Sequence, residues 1–171
     1  MKSLKIIPVI FLLFGIYSFR NSVHAEVKNP KEYKVLSSSN KKLSLANVEY
    51  YLEEGDKFLN KGDFQKSKDS YLSARELSTR LASYYSDLNK AFIGKDARIP
   101  NEMAKKGKGS LQILAESNSR LAALYIRDGE PEVAVPLLIE NIRIMSPDSP
   151  EGENAYETLI QLGFVETTYK R

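Results

Sequence analysis

From Ser44 onward, apolar residues recur at three- and four-residue steps. Leu45, Val48, Tyr51, Leu52, Gly55, Phe58 and Leu59 fall on one stripe of a helix. Asn60-Lys61-Gly62-Asp63 stops it with turn chemistry, Gly62 being free to take the left-handed conformation. Phe64, Tyr71, Ala74, Leu77, Leu81, Tyr84, Tyr85, Leu88 and Phe92 continue the period until Gly94 and the run to Ile99-Pro100. A third stretch starts near Asn101 and gathers Met103, Leu111, Leu114, Ala115, Leu121, Ala122, Leu124 and Tyr125. Gly107 and Gly109 weaken its first part by about 1 kcal/mol each relative to Ala. Arg127-Asp128-Gly129-Glu130 turns the chain, and Pro131 opens a fourth stretch through Val133, Ala134, Leu137, Leu138, Ile142 and Met145, with Pro136 near its start. Ser146-Pro147-Asp148 breaks it, and Ser149-Pro150-Glu151 opens a fifth that runs to Gly163. No alternating run of strand length competes after residue 44. The spacing predicts an all-α domain over residues 44–163.

The flanks read differently. Residues 1–25 have the layout of a secretory signal peptide. Lys2 and Lys5 precede an apolar core from Ile6 to Phe19, and Val23-His24-Ala25 places small residues where a signal peptidase reads. The apolar run falls short of the roughly 20 residues a spanning helix needs. Cleavage after Ala25 would release the remainder outside the cytoplasm, in a periplasm or thylakoid lumen, whereas an uncleaved segment would anchor it to the membrane there. No Cys follows the apolar run, so a bacterial lipoprotein anchor is excluded. Residues 26–43 are polar and aperiodic and read as a flexible leader. Residues 164–171 form a C-terminal tail.

Charge narrows the function classes. The chain holds 25 Lys+Arg against 22 Asp+Glu, but Lys2, Lys5 and Arg20 lie in the first 25 residues, which contain no acid. Without them the balance is 22 to 22, and bulk charge gives no reason to expect a nucleic-acid partner. What remains is an asymmetry: residues 26–110 hold 17 basic and 12 acidic residues, whereas residues 111–171 hold 5 and 10. Such a dipole would orient the protein at an acidic partner or membrane surface. With no Cys, and with His24 as its one His, the chain offers no thiol nucleophile, Cys-based metal site or imidazole triad.

Two helix–turn–helix units share an internal spacing. In the first, Tyr51, Gly55, Phe58, Gly62, Phe64, Ser67, Tyr71 and Ala74 alternate large and small positions; in the second, Ala122, Tyr125, Gly129, Ala134 and Leu138 stand at the same offsets, closed by Pro147. This resembles the tetratricopeptide repeat. Gly55 and Ser67 would let the helices approach closely while Tyr51, Phe58, Phe64 and Tyr71 fill the groove around them. Glu54, where the family prefers Leu, departs from the pattern, and so do Thr79 near the closing Pro, Asn118 in place of the opening aromatic and Pro131 in place of the turn aromatic. Leu159-Ile160-Gln161-Leu162-Gly163 is similar to the start of a further first helix, which would cap the stack. Gly55 and Ala122 are 67 residues apart, about twice the family period of 34. The interval holds either a degenerate middle unit or two long helices extending the outer units. The absence of turn residues between Leu77 and Leu81, or between Leu114 and Ala122, favours the long helices.

The resemblance implies antiparallel helix pairs stacked as a short superhelix, with a concave face lined by the first helix of each pair. Glu49, Leu52, Glu53, Asp56, Ser119, Arg120, Ala123 and Arg127 would point there and bind a protein or peptide. Arg120 and Arg127, two turns apart and opposite Glu53 and Asp56, would grip a peptide through charge-assisted hydrogen bonds; alternatively they pair with Glu116 and Glu130. The set lacks the Lys/Asn pattern with which some family members clamp a terminal carboxylate. Other chemistry is thin. Gly107-Lys108-Gly109-Ser110 lacks the earlier Gly and preceding strand of a phosphate loop. Ser38 and Lys41 stand at Ser-x-x-Lys spacing but in the leader. Glu53-Glu54 and Glu151/Glu153 are adjacent acids and not a facing pair, as a hydrolase of envelope polymers would require. The expectation is therefore an exported, non-enzymatic interaction scaffold or assembly factor with no cofactor, metal or small-molecule substrate. The alternative is a closed helical bundle serving as a structural subunit on a membrane complex.

Overall fold

Ser44, Asp63 and Ser149 each stand just before a helix, and the side chain of each accepts a hydrogen bond from a backbone N–H three residues on. The donors are Asn47 at 3.2 Å, Lys66 at 3.2 Å and Gly152 at 3.0 Å. The computed structural model describes residues 43–170. Among them are five helices and no strand: α1 (Leu45–Asn60), α2 (Phe64–Phe92), α3 (Arg98–Arg127), α4 (Pro131–Met145) and α5 (Pro150–Gln161). The expected signal peptide, Ser38, Lys41 and all of the leader but Leu43 lie outside the described residues. Leu43 itself packs against the core. Gly62 and Gly129, at φ 77° and 81°, make the turns after α1 and α3, a conformation that costs a residue with a Cβ free energy.

The third helix begins at Arg98, before Pro100. In the first turn of a helix the missing proline N–H would have no intrahelical partner, so Pro100 starts α3 and does not end the preceding stretch. Residues 107–110 are helical within α3, where the Ser110 hydroxyl donates to the Lys106 carbonyl at 3.0 Å, so they form no phosphate loop. The two long helices occupy the interval between the repeat-like units: α2 has 29 residues and α3 has 30. Each is about 44 Å long, against about 23 Å for α1 and α4.

Each helix packs on the next in chain order. Across the stack, α1 also meets α3 and α3 meets α5, while α1 and α5 do not touch. The hairpins therefore stack as an open row, with α1, α3 and α5 in one layer and α2 and α4 in the other. The first core holds Val48, Leu52, Tyr71, Ala74, Leu77, Leu81, Leu121 and Leu124; the second holds Ala122, Ala134, Leu138, Ala155 and Leu159. Tyr125 and Leu137 touch both. A Cβ on Gly55 would sit 2.3 Å from Cε1 of Tyr71, so the ring occupies the space that the missing side chain leaves. Ser67 is fully buried nearby, but Phe64, expected in the same groove, is exposed.

A polar network pins α2, α3 and α4 in register. Asn118 and Asn141 are wholly buried, and both amides are fully used. Asn118 accepts from Arg75 Nε at 2.8 Å and donates to Glu140 and Asn141, each at 3.0 Å. Asn141 donates to the Ala115 carbonyl and the Ser119 hydroxyl, each at 2.9 Å. Arg75 closes the circuit with a 2.7 Å ion pair to Glu140. Asn118 thus stands where the repeat pattern has an aromatic because its amide joins three helices.

At the C-terminus, Leu159–Gly163 ends α5 and does not begin another helix. Gly163 takes φ 73°, and the Phe164 and Gly163 N–H groups donate to the Leu159 and Ile160 carbonyls at 3.0 and 2.9 Å. The tail folds back: Tyr156 donates to the Thr167 carbonyl at 2.7 Å, and Tyr169 donates to Asp148 at 2.6 Å. The distal halves, α2 beyond Leu81 and α3 before Leu111, form a two-helix arm whose base meets Ile144 and Met145 of α4 across a cleft of about 620 Å³. Within residues 82–110, Met103 and Ser110 are the buried residues. No helix among the described residues is long and apolar enough to cross a membrane.

Candidate functional site

The layer of first helices carries two adjacent clefts. Between α1 and α3, Asp56, Leu59, Tyr71, Arg120, Ala123, Leu124 and Arg127 enclose about 230 Å³. Between α3 and α5, Gln112, Glu116, Ser119, Arg120, Ala123, Glu151 and Asn154 enclose about 420 Å³. Arg120 and Ala123 belong to both, so the clefts form one surface divided by the α3 ridge.

Its electrostatic centre is Arg120. Nε and Nη2 donate to the two oxygens of Asp56 at 3.0 and 3.2 Å, and Nη1 pairs with Glu116 at 2.7 Å. The Tyr71 hydroxyl donates to Asp56 Oδ1 at 2.5 Å. Burial pushes the Asp56 carboxyl upward, but the hydrogen bonds from Arg120 and Tyr71 and the Arg120 charge outweigh it and hold the group below the ordinary carboxylate range. Burial raises the Tyr71 hydroxyl, and its bond to Asp56 raises it further. For Arg120, burial acts against the charge, and the bonds to Asp56 and Glu116 more than restore it. Arg127 lies differently: its guanidinium stacks on the Phe64 ring, 3.5 Å from the centroid, and reaches Asp128 at 3.8 Å.

The structure gathers Asp56, Ser119, Arg120, Ala123 and Arg127 on this surface. Glu49 and Glu53 are exposed on α1 but line neither cleft. Leu52 does not belong to the surface: it is 5% exposed, because the α1 stripe of Val48, Leu52 and Gly55 turns inward onto α2. Of the two readings of the arginines, the open pair is corrected, and the paired alternative holds for Arg120 with Glu116 but not for Arg127 with Glu130. Arg120 is committed to Asp56 and Glu116, and Arg127 to Phe64 and Asp128 and not to Glu130.

Four polar residues that line the larger cleft were not among the residues expected on the face: Gln112, Glu116, Glu151 and Asn154. The first two stand seven and three positions before Ser119, helical spacing that puts them on its face, a signal present in the sequence. Glu151 and Asn154 belong to the site only because α5 packs beside α3. With Arg120 and Glu116 committed to each other, the amides of Gln112 and Asn154 and the carboxylate of Glu151 offer hydrogen-bond donors and acceptors in the larger cleft. Among the described residues no His, Cys, Asp and Glu cluster is arranged to hold a metal ion. No protein-family model, curated protein or solved structure matches the chain.

Proposed function

We propose that this chain is an exported, non-enzymatic binding protein of tetratricopeptide-like build, which holds a protein or peptide segment on the face formed by α1, α3 and α5. One observation carries the reading. The three first helices lie in one layer, and the clefts between them bring together five of the eight residues expected on a concave face. The open row favours a groove over a closed bundle, because α1 and α5 remain apart. The signal-like residues 1–25 support export, and the committed arginine gives the face a rigid centre, which lowers the ordering cost of binding.

Gln112 and Asn154 test this directly, since both are exposed cleft residues. Replacing both by Arg crowds the larger cleft without touching the core. Partner recovery from solubilised envelope should fall at least about tenfold while the melting temperature holds, since surface substitutions stay within about 0.5 kcal/mol. Undiminished recovery from the folded variant places the binding surface elsewhere.

A further inference from the structure

The arm formed by the distal halves of α2 and α3 has no role in the cleft surface, and its chemistry differs from the rest of the molecule. Residues 82–110 hold six basic and three acidic residues. Arg98 is paired with Asp96 at 2.7 Å and Lys106 with Glu102 at 2.6 Å. Lys90, Lys95, Lys105 and Lys108 are exposed, and none has a carboxylate partner among the described residues. The same arm exposes large apolar side chains. Ile93, at the turn between the helices, is 65% exposed, the highest value among the exposed large hydrophobic residues. Leu88 and Tyr84, one and two turns back along α2, are 46% and 47% exposed. Asp87 is the one carboxylate of the arm outside these two ion pairs.

We infer that the tip of the α2–α3 arm docks on an anionic lipid surface, with Ile93 entering the interface and Lys90, Lys95 and Lys105 held against the headgroup phosphates. The combination of charge and apolar exposure selects this occupant. An acidic protein would satisfy the lysines but leave Ile93 without a reason to stand at the outermost turn, and a neutral apolar surface would satisfy Ile93 but not the excess of unpaired cations. An anionic bilayer meets both needs, because basic groups hold the protein at the surface while an apolar side chain partitions below the headgroups. The inference does not rest on the proposed partner groove.

The chain contains no Cys, so Ile93→Cys in the full-length protein creates one labelling site for an environment-sensitive fluorophore. A matched control places the label at exposed Lys61, in the turn after α1. Vesicles of phosphatidylcholine alone are compared with vesicles of equal parts phosphatidylcholine and phosphatidylglycerol. Because the label reports its own surroundings, membrane attachment through residues 1–25 does not imitate the result. The expected outcome is a blue shift at position 93 with the anionic vesicles only, and none at position 61. Adding Lys90→Glu, Lys95→Glu and Lys105→Glu should raise the lipid concentration needed for half the shift by about a hundredfold, at roughly fivefold per lost basic group. The double change Lys57→Glu and Lys61→Glu, at the opposite end of α2 from the tip, should move it less than about threefold. No shift at position 93, the result expected of an arm that binds an acidic protein, would overturn the inference. An equal shift with neutral vesicles, or equal weakening by the arm and control charge changes, would also overturn it.

Discussion

Gly55 and Tyr71 form the tightest residue-level coupling in the first unit. The ring lies where a Cβ would be, and its hydroxyl is tied to Asp56, so it has little freedom to yield. Gly55→Ala is therefore expected to destabilise the fold by about 1–3 kcal/mol through overpacking. Lys57→Leu, two residues away and exposed, should stay within about 0.5 kcal/mol. Thermal melting of the two variants checks this, and equal midpoints would count against close packing at Gly55. The same tyrosine links the core to the cleft through Asp56. With its folded pKa below the unfolded value, Asp56 adds stability that is fully present above the unfolded pKa, about 4, and lost as pH falls through the folded one. Because the ion pair is partly exposed, its worth at neutral pH is about 1 kcal/mol or less. Asp56→Asn should consequently melt below the wild type at pH 7, and the gap should close in acid below about pH 4. A gap that widens in acid would contradict the sign of the shift.

At the scale of elements, most of the architecture was legible from spacing. The apolar stripe of α1, the helix starts at Ser44 and Ser149, and the absence of turn residues inside α2 and α3 all speak through local chemistry that tertiary packing did not override. The boundary at Pro100 misled because proline reads equally as an ending or as a first-turn residue, and only the chain before it decides. The Leu159–Gly163 ending misled for a related reason: small and apolar residues serve both helix crossings and left-handed caps. The polar network was invisible for a different reason. Arg75 and Glu140 are 65 positions apart, and each alone resembles an ordinary surface charge. The arm gives an element-scale prediction. Beyond Leu81 it has two buried residues in 29, Met103 and Ser110, so its helices rest on few buried apolar contacts. Amide hydrogen exchange in residues 84–106 should be at least about tenfold faster than in residues 70–81 and 114–125. Uniform protection along both long helices would show that something covers the arm.

For the whole molecule, the open row sets which surfaces are left to function. Sequence reasoning found five of the cleft residues because helical phase tells which side of α1 and α3 faces away from the neighbouring hairpin. It placed Leu52 wrongly because a helix facing two neighbours has a wider buried arc than one stripe suggests. It missed Glu151 and Asn154 because their membership depends on how α5 docks. The central claim is that partners bind the α1–α3–α5 face. Its most direct measurement is site-specific photocrosslinking in native envelope. A photoreactive residue is placed at Asn154 in the larger cleft, and at Arg143 on α4, in the opposite layer, as the comparison. The account predicts a discrete crosslinked species from position 154, suppressed in the presence of Gln112→Arg, and none from position 143. Crosslinking from position 143 with none from position 154 would contradict it.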